Sequence, residues 1–110
     1  MTLATMHCAR GGQATALDEA SIDKHLATLT GWKRVGNDIR KTFAFKNYHE
    51  TMAFVNASAW ISHAQDHHPD MSVHYNRCVV AYSTHDAGGI TLNDLICAAK
   101  LEALFPQADA

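Results

Sequence analysis

The sequence lacks the features that would point to several common classes of protein. Its 9 Lys and Arg residues against 11 Asp and Glu residues give a formal charge of −2, so no basic field favours nucleic acid as a partner. No apolar run approaches the roughly 20 residues that a helix needs to cross a bilayer. The three cysteines include no CxxC pair, which indicates reduced thiols and no structural zinc site. We therefore expect a cytoplasmic protein that binds neither nucleic acid nor a membrane.

Histidine is the residue type present in unusual number. The chain has 8 His against 4 Phe and 3 Tyr, and five of the eight fall between residues 63 and 85. A chain of 110 residues can bury a core without disulfides but leaves little interior room for a closed cavity. We expect any active site to be a surface cleft or a subunit interface that includes these histidines.

Hydrophobic periodicity and capping residues predict one domain over residues 17–106, preceded by a flexible tail over residues 1–16. Asp18, Asn47 and Thr91 are predicted helix N-caps. Gly31 is predicted to end the first helix and Pro69 the second, since a residue before proline is displaced from helical geometry. The predicted elements are a helix from Asp18 to Gly31, strands Trp32–Val35 and Ile39–Phe45, a long helix from Asn47 to Asp66, strands Met71–Tyr75 and Cys78–Ser83 joined at Asn76-Arg77, a loop from Thr84 to Gly89, and a helix from Thr91 to about Leu104.

The order of these elements predicts the α+β class. Short hairpins imply antiparallel pairing, so we expect a single four-stranded antiparallel sheet with three helices packed on one face, in the order α-β-β-α-β-β-α. One layer of helices leaves the other sheet face and the sheet edges uncovered. Association between subunits would cover them, so we also expect a homo-oligomer.

Four histidines are candidates for a site with acid/base chemistry. His63 and His67 are four residues apart near the predicted end of the long helix, which would place both rings on one face. His68 follows in the turn and His85 comes just after the fourth strand, so the rings are expected to meet at one rim. Imidazole titrates near pH 6.5, so such a cluster can supply both an acid and a base.

Other interpretations of these residues stay open. A histidine at a helix end is often a C-terminal cap, which suits His63 taken alone. The run from His63 to His67 also resembles the HxxEH zinc-protease arrangement with Asp66 in place of Glu, although Pro69 would shorten the helix that carries it. Asp94 is better explained as a helix cap than as a catalytic acid. Surface, packing or turn roles are assigned to His7, His25, His49, His74 and Arg77.

The spacing of the candidate residues resembles a known family signature. The run His63-x3-His67-His68-Pro69, followed by Tyr75, His85 and Asp94, is similar to that of the pterin-4a-carbinolamine dehydratases. The resemblance covers the chain from Leu17 to the final helix, including Gly31-Trp32, Phe43-x-Phe45 and Ser83-Thr84-His85-Asp86. The chain departs from the mammalian pattern at His63, which stands where those members have an acidic residue, and at Asp86, which replaces Glu.

The resemblance implies an activity and a site. Members dehydrate 4a-hydroxytetrahydropterin, the spent cofactor of aromatic amino acid hydroxylases, to quinonoid dihydropterin without a metal or organic cofactor. It implies His67, His68 and His85 as catalytic residues, with His67 the chief acid/base, His68 sharing proton transfer and His85 polarising the substrate. It also implies a pterin pocket lined by two segments, whose residues are Asp66, His67, His68, Ser83, Thr84, His85 and Asp86.

The family resemblance further implies partners. Members form dimers or tetramers, and their role in recycling tetrahydrobiopterin implies functional coupling to phenylalanine hydroxylase. Some animal members also serve as dimerisation cofactors of a homeodomain transcription factor. The alternative function for this chain is therefore a coactivator binding module.

Overall fold

The computed structural model describes residues 2–105, and the predicted end of the domain at Pro106 lies outside them. Three helices and four strands follow one another in the predicted order, which confirms the α-β-β-α-β-β-α arrangement. Two short 3₁₀ turns are added at Leu3–Thr5 and His85–Ala87. The elements are α1 (Glu19–Leu26), β1 (Lys33–Val35), β2 (Asp38–Ala44), α2 (Tyr48–Gln65), β3 (Asp70–Val73), β4 (Arg77–Tyr82) and α3 (Leu92–Leu104).

The four strands form one antiparallel sheet in the order β1-β2-β4-β3, which confirms the α+β class. In β4 every second side chain is buried, and in β2 Ile39 and Phe43 are buried with the half-buried Lys41 between them on the same face. The sheet therefore has one face against the helices, as predicted. The buried face is formed by Ile39, Phe43, Cys78, Val80 and Tyr82.

Aromatic rings join the sheet to α2. The Phe54 ring stacks on Phe43 with centroids 4.6 Å apart, and it lies 5.2 Å from each of Phe45 and Phe105. Trp32 contacts Phe43 edge-on at 6.0 Å. Helix α3 completes this core with an almost continuous run of buried residues from Asn93 to Ala99. Its first turn, where the site lies, is therefore firmly positioned by packing.

The predicted N-caps are confirmed. Asp18 accepts a hydrogen bond from the Ser21 amide at 2.8 Å, and Asn47 accepts one from the Glu50 amide at 2.9 Å. Thr91 forms a capping box with Asp94 at the start of α3. These contacts span only three residues, which explains why sequence alone located them.

The predicted helix ends are less accurate. Helix α1 ends at Leu26, and turns separate it from Gly31, so the glycine does not end the helix directly. Pro69 does not end α2 either, because the helix stops at Gln65 and Asp66 adopts a left-handed conformation with φ 50° and ψ 44°. The amide of His67 then donates to the Ser62 carbonyl at 3.1 Å, which closes the last turn.

Arg77 is also placed differently from the prediction. The sequence predicts Arg77 in the connection between the last two strands, but it is the first residue of β4 and pairs with Ala44 of β2. The connection is instead His74 to Asn76, closed by a hydrogen bond from the His74 amide to the Arg77 carbonyl at 2.8 Å.

The segment before α1, predicted as a flexible tail, lies along the domain in its described part. The 3₁₀ turn at Leu3–Thr5 packs on α3, and Lys100 Nζ donates to the Ala4 carbonyl at 2.9 Å. Cys8 is buried, and Ala16 forms a β-bridge with Thr91. The flexibility of this segment stays a prediction. Its contacts place it against α3 and beside Thr91, the N-cap of that helix.

Candidate active site

His67 is paired with a buried carboxylate. Its Nε2 atom lies 2.6 Å from Oδ1 of Asp94, with the two side chains 12% and 0% exposed. The His67 ring also lies parallel to the Tyr82 ring, with centroids 5.9 Å apart and planes 11° apart. The left-handed Asp66 turns the chain so that His67 reaches α3 instead of continuing along α2. The imidazole is thus fixed by a hydrogen bond and by an aromatic ring.

Asp94 serves two elements at once. Its Oδ2 atom accepts hydrogen bonds from the Thr91 amide at 2.8 Å and from the Thr84 hydroxyl at 2.9 Å, while Oδ1 binds His67. The prediction that Asp94 caps α3 is confirmed, but a cap uses only one of its two oxygens. The second oxygen makes it the partner of His67. A contact across 27 residues leaves no local signal in the sequence.

The electrostatics around His67 favour its protonated form. Burial alone would lower the pKa of His67, but the hydrogen bond and the charge of Asp94 oppose this effect, with smaller contributions from Cys8 and Asp66. The net result is a pKa for His67 above its ordinary value. The imidazole therefore holds a proton more readily than a free histidine does.

Two adjoining cavities lie at this end of the sheet. The first has a volume of about 410 Å³ and contains His67 together with residues of the segment before α1. The second, of about 250 Å³, contains His85. Thr84 lines both, so they adjoin at this residue. The first cavity is lined by Ala9, Arg10, Gly11, Gly12, Ala14, Asp66, His67, Thr84, Asp86 and Asn93. The second is lined by Asn37, Asp38, Ser83, Thr84, His85, Gly88 and Gly89.

A larger cavity of about 630 Å³ lies elsewhere, between the Leu3–Thr5 turn, α1 and α3. Its lining is mainly apolar, and His25 is its one titratable side chain among the described residues. The combination of a perturbed imidazole and several polar groups favours the His67 cavity as the site.

The structure brings together most of the predicted site residues. Asp66, His67, Thr84 and Asp86 line the first cavity, and Ser83 and His85 line the second. His68 is exposed and lines neither of the two. Sequence reasoning missed Arg10 and Asn93, because it assigned no function to the segment that contains Arg10 and binds Asn93.

The prediction that His63 and His67 share a helix face is wrong. Since α2 ends at Gln65, only His63 belongs to it, and its exposed side chain lines a shallow depression with Ala59 and Trp60. The zinc-protease interpretation required both histidines on one helix, so its geometric basis is lost. Within residues 2–105, no group of three or more His, Cys, Asp or Glu side chains is arranged to hold a metal ion.

Comparison with known proteins agrees with the geometry. Residues 15–104 match the family model described as pterin 4 alpha carbinolamine dehydratase. The chain belongs to this family. The match includes both cavities except for the wall that the preceding segment supplies. In the same described part of the chain, no helix is long and apolar enough to cross a membrane.

Relatives in this dehydratase family are similar over nearly the whole chain. A protein of Chromobacterium violaceum named "Putative pterin-4-alpha-carbinolamine dehydratase" is 59% identical over 105 residues, covering 96% of this chain and 97% of its own. One of the same name from Nitrosospira multiformis is 53% identical, covering 94% and 92%. The crystal structure of a transcriptional coactivator/pterin dehydratase from Brucella melitensis matches with a TM-score of 0.79 at 32% identity, covering 82% and 98%.

Proposed function

We propose that this protein is a hydro-lyase that eliminates water from 4a-hydroxytetrahydrobiopterin to give quinonoid dihydropterin. The observation that carries the proposal is the His67–Asp94 pair, which opens on a cavity lined by polar groups. The elimination needs an acid for the departing hydroxyl and a base for the N5 proton, each commonly worth about 10²–10⁴-fold in rate. No metal or organic cofactor takes part in the proposed mechanism.

His67 acts as the acid in this mechanism. Because Nε2 binds Asp94, Nδ1 is the ring nitrogen left to face the substrate. Nδ1 donates its proton as the bond between C4a and the hydroxyl oxygen breaks, and the hydroxyl leaves as water. The N5–H electron pair forms the N5–C4a double bond while a base takes the N5 proton. Proton return to His67 completes the cycle.

His68 and His85 take the remaining roles. His68 is exposed beside His67 and shares the proton transfer with solvent. His85 lies in the adjoining cavity with Ser83 and Thr84, from which it binds and polarises the substrate. A flat bicyclic ring that spans both cavities at Thr84 would contact Asp66 and Asp86 on one side and His85 on the other.

The decisive experiment follows the loss of enzymatically generated 4a-hydroxytetrahydropterin with and without protein. We expect wild type to accelerate it and the His67→Ala, His85→Ala double variant to lose about 10²–10⁴-fold in kcat. His63→Ala is the matched control, because His63 lies outside both cavities, and it should retain wild-type turnover. Unchanged turnover in the double variant, with its oligomeric state intact, would refute the proposal.

The zinc alternative has its own test. Elemental analysis of the purified protein should find no stoichiometric zinc, and chelation should leave the activity unchanged. Stoichiometric zinc together with activity lost to a chelator would replace the histidine mechanism with a metal-dependent one.

We place the enzyme in the cytoplasm as a homodimer or homotetramer that recycles tetrahydrobiopterin for phenylalanine hydroxylase. Its three cysteines carry no disulfide, which suits a reducing compartment. Self-association is supported by large apolar side chains at the surface, above all Trp60 on α2, which is 77% exposed. Sedimentation analysis of wild type against Trp60→Ser should show a smaller assembly for the variant.

The second candidate function is a coactivator binding module. The observations that favour it are the description of the Brucella melitensis protein as a coactivator as well as a dehydratase, and the exposed Trp60. If binding were the main function, wild type would show no dehydratase activity. It would still bind a partner protein through the surface around Trp60. Turnover by wild type with loss in the double histidine variant would favour the enzyme.

A further inference from the structure

One wall of the His67 cavity comes from the segment before α1. Residues 9–12 and Ala14 line the cavity, although the match to the family model begins only at residue 15. This part of the chain is therefore placed at the site by the structure, and no motif assigns it there.

Two buried side-chain amides hold the segment in place. Gln65 Oε1, at the end of α2, accepts a hydrogen bond from the Cys8 amide at 2.8 Å. Asn93, in the first turn of α3, accepts from the Ala9 amide and donates to the Ala9 carbonyl, each at 2.9 Å. Gln65 and Asn93 are only 7% and 6% exposed, and buried amides are costly without such partners. The docked segment satisfies them, so its position is specified by both helices.

Arg10 follows directly on this anchor. One of its guanidinium nitrogens, Nη2, donates to the Ala64 carbonyl at 2.6 Å, near the end of α2 where carbonyls lack helical partners. A guanidinium carries five N–H donors in a plane. Within the described residues, Arg10 forms no ion pair with a carboxylate, so most of this donor capacity is uncommitted. Arg10 also lines the cavity that contains His67.

A turn after Arg10 shapes the wall. Gly11 and Gly12 have φ values of +67° and +76°, which glycine adopts without the strain that a side chain would add. The turn brings Ala14 back to the same cavity, so the backbone approaches the site on both sides of the reversal. This side of the cavity therefore consists of small residues and one cation, and Asp66 and Asp86 line the same cavity.

We propose that residues 9–12 are part of the substrate pocket and that Arg10 is a positioning and specificity residue for the pterin ring. This inference rests on the proposed function. The pyrimidine half of a pterin has a carbonyl acceptor beside N–H donors. The uncommitted N–H groups of Arg10 suit the carbonyl, and the carboxylates of Asp66 and Asp86 suit the donors. The cavity thus discriminates the two ends of a planar amide-containing ring.

The test separates binding from chemistry. Arg10→Met keeps much of the side-chain length but removes the donors, so KM for 4a-hydroxytetrahydropterin should rise about 10- to 100-fold, the usual effect of a lost charged hydrogen bond. The value of kcat should change little, because the His67–Asp94 pair is untouched. Arg77→Met, an exposed arginine of β4 outside both cavities, is the matched control.

Two further variants guard against a purely structural effect. Arg10→Lys keeps a positive donor and should recover part of the loss in KM. Gln65→Leu removes the anchor for Cys8, so it should raise KM as well, and Arg10→Met should then add little in that background. Equal melting temperatures for Arg10→Met and wild type would show that the fold is retained.

The outcomes distinguish the two proposals. If wild type is active and Arg10→Met keeps its KM, the inference about Arg10 is wrong while the dehydratase function stands. A fall in kcat with unchanged KM would also contradict a binding role. If wild type neither accelerates the reaction nor binds a stable dihydropterin in a fluorescence titration, the proposed function fails, and the inference fails with it.

Discussion

The Nε2 atom of His67 and the Oδ1 atom of Asp94 lie 2.6 Å apart and join the end of α2 to the first turn of α3. The role of neither residue follows from the local sequence around it. Asp94 is a cap whose second oxygen reaches across the fold, and His67 leaves α2 because Asp66 reverses the chain. The pair couples the protonation of the site to the stability of the protein.

That coupling predicts a dependence of stability on pH. Because the pKa of His67 is raised in the folded protein, the charged pair stabilises it fully below the ordinary histidine pKa of about 6.5. The stabilisation is lost as pH rises through the raised pKa. We expect the free energy of unfolding from urea titrations to fall in wild type as the pH rises above about 6.5 and through the raised pKa of His67.

Variants of the pair check this origin. His67→Gln should remove the pH-dependent part, and Asp94→Asn should cost about 1–3 kcal/mol at pH 6, since it removes a charge-assisted hydrogen bond from a buried site. His63→Gln should behave like wild type, because His63 is exposed on α2. A His67→Gln variant that keeps the full pH dependence would show that another group causes it.

The aromatic core predicts a large effect at Phe54. Its ring is fully buried and contacts three other aromatic rings, so Phe54→Ala should lower the free energy of unfolding by about 3–5 kcal/mol. Tyr48→Ala, on the same helix but 52% exposed, should change it by about 0.5 kcal/mol or less. Denaturant titration of both variants measures the difference. Equal losses would place Phe54 outside the energetic core.

Two glycines with positive φ differ in whether an added Cβ would meet a neighbouring side chain. Gly31 and Gly36 have φ values of +87° and +60°, so alanine at either should cost about 1–2 kcal/mol. At Gly31 the added Cβ would also lie 3.0 Å from Cε of Lys41, whose ammonium group binds Glu102 and the Thr30 carbonyl. At Gly36 it would meet no atom within 4 Å.

We therefore expect Gly31→Ala to be the more destabilising of the two. Thermal unfolding of both variants beside wild type measures the difference. A larger loss for Gly36→Ala would mean that Lys41 moves aside freely and that its contacts contribute little.

The parts of the fold that sequence predicted depend on local signals. Asn47 and Thr91 bind amides two or three residues away, and the alternation in β2 and β4 shows directly in the buried side chains. The end of α2 was attributed wrongly because proline is a strong local breaker, whereas a left-handed aspartate gives no such signal. The actual stop at Gln65 separates His63 from His67.

The candidate site was predictable only in part, for a physical reason. His67, Thr84 and His85 were proposed from clustering and from family spacing, and the two cavities contain them. The role of Asp94 depends on a contact across the fold. That of Arg10 depends on amides of Gln65 and Asn93 that hold an apparently featureless segment. No periodic pattern in the sequence marks the role of Asp94 or that of Arg10.

The left-handed Asp66 has a consequence for how such proteins can vary. Asp66 is the C-cap of α2, and Asp94 belongs to the capping box of α3. The negative charges of both raise the pKa of His67. Glycine or asparagine could end α2 equally well, but either would remove a negative charge that raises the pKa of the His67 imidazole. Exchanges between residues that cap helices equally well would therefore shift the pH optimum of the enzyme. Changes in the helix caps and changes in the pH optimum are expected to occur together.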